Sequence, residues 1–158
     1  MKHTWLALLA CSLWLGCSKG AAEGTTSPST AKSSETGAAI AEPQATPWTW
    51  TASNAGGYWC AWRAPEGPVA MGPSFPIEIR LAKSENGPPL DLPAQALAVD
   101  ARMPEHGHGM LQRVEIEALE PGHYRVVGMR LHMLGYWELW VDVTQGAITE
   151  RAQFVIEL

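Results

Sequence analysis

The stretch WELWVDV, residues 137–143, sets Trp137, Leu139, Val141 and Val143 against Glu138, Trp140 and Asp142 in strict alternation. A hydrophobic period of two places one set of side chains on a buried face and the other in solvent, which is the pattern of a half-buried strand. Downstream, past a turn at Gln145-Gly146, AQFVIEL repeats the pattern with Phe154, Ile156 and Leu158 on one side. Upstream, YRVVGM lines up Tyr124, Val126 and Gly128, and RVEIEAL turns Val114, Ile116 and Ala118 inward while Glu115 and Glu117 face out. FPIEIRL opposes Phe75, Ile77, Ile79 and Leu81 to Glu78 and Arg80.

Adding YWCAW (residues 58–62) and QALAVDA (95–101) gives about seven strands, separated by turn sequences such as NGPP at Asn86 and EPGH at Pro121. No segment carries a capped 3.6-residue period, so helix content is expected to be low. About seven short strands with turns every 8 to 12 residues predict an all-β, immunoglobulin-like β-sandwich over residues 48–158. A small open barrel is the other arrangement compatible with the pattern.

The first residues have a different character. Lys2 and His3 precede an apolar run from Trp5 to Gly16. As a helix it reaches only about 18 Å against a hydrocarbon core of roughly 30 Å, so it reads as the h-region of a signal peptide over residues 1–16. The run ends in WLGC, which resembles the lipobox of bacterial lipoproteins, with Trp14 where Leu is usual. That resemblance implies cleavage before Cys17 and lipidation of Cys17, with Ser18 directing the product to the outer membrane, facing the periplasm. Residues 17–47, built from Ser, Thr, Ala, Gly, Pro and Glu, are too poor in large apolar side chains to fold and are expected to be a disordered tether.

Composition narrows the function. Residues 48–158 hold 8 Arg/Lys and 13 Asp/Glu, and so carry the whole net charge of -5. There is no basic stripe to neutralise phosphates, which argues against nucleic acid. No nucleophile sits beside a base, and Glu115 and Glu117 read as a solvated strand face, so no enzyme is expected. Of the three cysteines, only Cys60 remains as a free thiol once Cys11 is removed and Cys17 acylated. Within YWCAW it reads first as a small buried hydrophobe and second as a metal ligand.

Two segments gather soft and borderline ligands: MPEHGHGM, with Met103, His106, His108 and Met110, and GMRLHMLG, with Met129, His132 and Met133. Thioether sulfur suits copper(I), and imidazole suits copper in either state as well as zinc. If successive strands reverse direction, the turns at 103–109 and 131–135 fall at one end of the sandwich. His123 then lies at the other end, and Met71 returns to the first. The blander reading of the same residues is a Pro-Gly turn with solvated His, and Met side chains as gap-fillers.

At these residues the chain resembles the YtkA-like domain, related to the FixH-type proteins. The residues that carry the likeness are Met103, Pro104, Gly107, His108, Gly122, Tyr124, Met133, Gly135 and Trp137, with Tyr136 inserted where the simpler pattern has Gly and Trp adjacent. The resemblance spans roughly residues 58–158 and implies an immunoglobulin-like sandwich linked to copper handling or respiratory-oxidase assembly. The expected function is an envelope lipoprotein that binds copper(I), for buffering or delivery to a metal transporter or oxidase. The alternative is a non-metal interaction module of an envelope complex, suggested by the many Trp residues, among them Trp48, Trp50, Trp59, Trp62 and Trp140.

Overall fold

The structure is a computed structural model, and it describes residues 44–158. The expected signal peptide, Cys17 and the tether up to residue 43 lie outside the described residues. Among the described residues nine strands form: β1 (Thr49–Ala52), β2 (Trp59–Arg63), β3 (Phe75–Ala82), β4 (Leu97–Met103), β5 (His108–Gly109), β6 (Glu115–Glu120), β7 (His123–Met129), β8 (Tyr136–Gln145) and β9 (Ile148–Glu157). They pair antiparallel into a five-stranded sheet, β1-β2-β3-β7-β6, and a four-stranded sheet, β5-β4-β8-β9. Leaving out β1 and β5, the order β2-β3-β7-β6 against β4-β8-β9 is the ABED and CFG arrangement of an immunoglobulin-type sandwich. Among the described residues no helix is long and apolar enough to cross a membrane.

All seven segments expected as strands are strands, and most keep their phase. Trp137, Leu139, Val141 and Val143 are buried, as are Ile77, Ile79, Leu81, Phe154 and Ile156. Two positions leave the expected face, and Glu78, on its expected face, is nonetheless buried beside Arg63 and His123. On β6, Ala118 is exposed, in the strand that forms the edge of its sheet. On β7 the inward residue after Val126 is Met129 rather than Gly128. Between Phe75↔Met129 and Ile77↔Val126 one strand advances two residues and the other three, a bulge that Gly128 accommodates with φ 93°. The two unforeseen strands are short: β1 borders β2, and β5 is a two-residue stub on β4. The chain joins the sandwich slightly earlier than residue 48, since Thr46 N–H donates to the Ala64 carbonyl (2.8 Å) and Ala64 N–H to Thr46 Oγ1 (2.8 Å).

The core lies between the sheets around Trp137, Tyr58, Tyr124 and the aliphatic residues of β3, β4, β8 and β9. Its two buried phenols are both hydrogen-bonded, as buried hydroxyls must be. Tyr58 Oη donates to the Val141 carbonyl (2.7 Å) and accepts from Ala152 N–H (3.0 Å), tying β8 and β9 to the other sheet. Tyr124 Oη donates to the Leu92 carbonyl (2.7 Å) and accepts from Leu92 N–H (2.9 Å), holding the long β3–β4 connection on the sandwich. Cys60 is fully buried, and burial alone pushes its thiol pKa up. It is the small core hydrophobe of the first reading.

Tyr58→Phe keeps the ring but strands the Val141 carbonyl and the Ala152 N–H, a loss of about 1–3 kcal/mol. The expected result is a lower urea midpoint at unchanged slope.

Candidate metal centre

The rim at one end of the sandwich is built by two short pieces of chain. β4 ends at Met103, and Pro104 opens a 3-10 turn over Pro104–His106. Gly107 then takes the left-handed conformation (φ 68°), with its N–H on the Met103 carbonyl (3.0 Å). This reversal lets His108–Gly109 pair back along β4, with Met103↔His108 and Arg102↔Gly109 in register. Directly opposed residues of an antiparallel pair project to the same face. His108 therefore leans toward the interior side that Met103 occupies.

The second piece, residues 131–135, is pinned along its length. Leu131 is buried and its carbonyl accepts from Gly72 N–H (2.8 Å). The Met133 carbonyl accepts from the Trp137 indole N–H (3.0 Å). Gly135, at φ 121°, exchanges two backbone hydrogen bonds with Leu158 (3.0 and 3.1 Å). A side chain at Gly135 would meet the Met103 Cε methyl at 3.2 Å, so the two pieces abut here.

Together they converge two imidazoles. The rings of His108 and His132 lie 5.2 Å apart between centroids, tilted by 31°. Two imidazoles that each hold a nitrogen about 2.0–2.1 Å from a common ion have ring centres roughly 5 Å apart at a tetrahedral angle. His106, exposed, lies 5.8 Å from His108. Trp137 backs the pair, its centroid 6.1 Å from His108 and 5.5 Å from His132, edge-to-face in both cases. The Nδ1 atoms of His108 and His132 are both buried and have no hydrogen-bond partner. A buried polar atom left in that state costs about 1–3 kcal/mol unless something else fills its lone pair or takes its proton. Two such atoms on neighbouring rings, at this ring spacing, are the atoms that would hold a shared ion.

The remaining expected ligands divide by depth. Met110 and Met133 are half-buried and pack against the core. Met103 is almost wholly buried behind the rim, and Met129 is fully buried, opposite Phe75 across the β3–β7 pair. Met71, in the β2–β3 connection, is exposed beside Gly72, which bonds Leu131. His123 is elsewhere: its ring packs on Trp48 (5.8 Å), and Nε2 lies 3.5 Å from a Glu78 carboxylate oxygen. Among the described residues no three His, Cys, Asp or Glu side chains form a metal-binding group, and the other soft donors of these two segments are thioethers. Trp137 is the part of the rim that sequence reasoning missed. It reads as an inward strand residue, and nothing in a period of two shows that its ring also faces a loop.

Comparison with protein families, curated proteins and solved structures finds no match to the chain.

Because no protein group bonds the two Nδ1 atoms, metal-free protein should lose little when the imidazoles are replaced by apolar groups. The double variant His108→Leu/His132→Leu is expected to melt within a few degrees of wild type, or above it, in the presence of a chelator.

Proposed function

We propose that the chain is a cell-envelope lipoprotein whose sandwich binds a soft metal ion, copper(I) foremost, at the rim formed by residues 103–110 and 131–135. The reading is carried by the two converged imidazoles with buried, unpartnered Nδ1 atoms. His108 and His132 would hold the ion, with thioether from Met103, Met110 or Met133 as the soft complement and His106 at the outer margin. Thioether and imidazole without thiolate favour copper(I) over harder cations. When bound, such an ion is carried as cargo, for buffering or for delivery to a transporter or an oxidase under assembly. The likeness of Met103–His108 and Met133–Trp137 to the YtkA-like pattern points the same way. Lipidation at Cys17, after a signal peptide over residues 1–16, would hold the protein on the periplasmic face of the outer membrane.

The competing reading, a metal-free interaction module, draws its force from the Trp-rich composition. Trp48 and Trp140 are covered by guanidinium groups instead of being left bare, with Arg63 and Arg80 over Trp48 (4.6 and 4.5 Å) and Arg102 and Arg151 over Trp140 (4.9 and 3.7 Å). Stacks of this kind account for these rings without an outside partner.

Two measurements test the proposal. Titration of the protein with copper(I) against a chelating competitor should show one tight site. Loss of outer-shell partners alone weakens metal sites 10–100-fold, so replacing His106, His108 and His132 together by Ala should weaken this one on the order of 100-fold or more. Unchanged affinity in that variant removes the site. Separately, Cys17→Ser should move the protein from the membrane fraction to the soluble fraction after export, and retention in the membrane fraction would count against the anchor.

A further inference from the structure

We infer that Trp137 is the inner wall of the rim site and sets its preference for monovalent copper over divalent zinc; the inference rests on the soft-metal reading above. Trp137 has no exposed surface, and its ring stands edge-to-face to both imidazoles, at 69° to His108 and 74° to His132. Any ion between the two rings therefore has an indole on its interior side. The indole itself supplies no ligand atom there, because it has no free lone pair in its plane and its single donor is spent on the Met133 carbonyl (3.0 Å).

The two ions respond differently to such a wall. Zinc seeks four nitrogen, sulfur or oxygen ligands in a tetrahedron and takes water where the protein supplies too few. A quadrant filled by indole offers neither a ligand nor a partner for that water. Copper(I) accepts soft, sparse ligation. The ring quadrupole attracts any cation that reaches it, and copper(I), more weakly hydrated than zinc(II), reaches it at the smaller desolvation cost. The indole N–H adds a positional role, since it fixes the carbonyl next in sequence to His132.

The experiment uses the full chain, with copper(I) and zinc(II) each titrated against a chelating competitor, in wild type and Trp137→Phe. The expected result is a copper-to-zinc affinity ratio lowered roughly three- to tenfold in the variant, mainly through weaker copper binding. An unchanged ratio in a variant with native far-ultraviolet circular dichroism overturns the role of Trp137 and leaves the soft-metal site standing. Absence of copper(I) binding by wild type overturns both. If Trp137→Phe does not fold, wild type labelled with 5-fluorotryptophan decides the matter by fluorine NMR. One indole resonance should move on adding copper(I), far less on adding zinc(II), and stay still in His108→Ala; no responding resonance, or an equal response to zinc(II), overturns the inference.

Discussion

Trp137 stands on β8, inside the four-stranded sheet, with its ring wholly removed from water and its N–H on the carbonyl of Met133. Burying a side chain of this size contributes more to the core than any aliphatic residue beside it. The same ring is the surface against which His108 and His132 rest. Core packing and rim geometry are thus set by one side chain. The loop at 131–135 cannot drift from the sandwich without breaking the indole hydrogen bond and the Gly135–Leu158 pair together. The β4–β5 reversal is held to the same place by Met103, whose methyl lies where a side chain at Gly135 would have to go.

Much of this architecture is legible in the sequence, because strand alternation is a strong signal wherever one face is dry. The seven expected segments are the seven strands of the ABED and CFG sheets, and direction reversal alone brings the 103–109 and 131–135 turns to one pole. What escapes is what alternation does not encode. The extra residue of the β7 bulge shifts the inward position from Gly128 to Met129, which puts that thioether in the core. β5 is only two residues long and exists because Gly107 tolerates a left-handed turn, so no periodicity marks it. The approach of two imidazoles is a matter of side-chain direction at a rim, and spacing along the chain supplies only the possibility of it.

The surface shows how an acidic, Trp-rich domain arranges its aromatic area. On the outer face of the four-stranded sheet Arg151 both covers Trp140 and makes a two-pronged ion pair with Asp142 (2.7 and 2.8 Å), while the Trp140 N–H donates to Glu138. On the other sheet Glu78, nearly buried among polar neighbours, pairs with Arg63 (2.6 Å), which in turn lies over Trp48. Individually such pairs are weak at an exposed surface. Here they keep the rings from forming a bare apolar patch. The exposed edge strand β6 carries Glu115, Glu117 and Glu120, charges that discourage another chain from adding to it.

The sealing of Cys60 bears on how a soft ion would be handled. A thiolate is the strongest rival that imidazole and thioether face for copper(I), and it is also the side chain that copper most readily oxidises in air. With Cys60 between the sheets and its proton held tightly by burial, that rival is locked away from the pole where the histidines meet. Were an ion carried at the rim, its loading and unloading would proceed without a covalent trap inside the same domain.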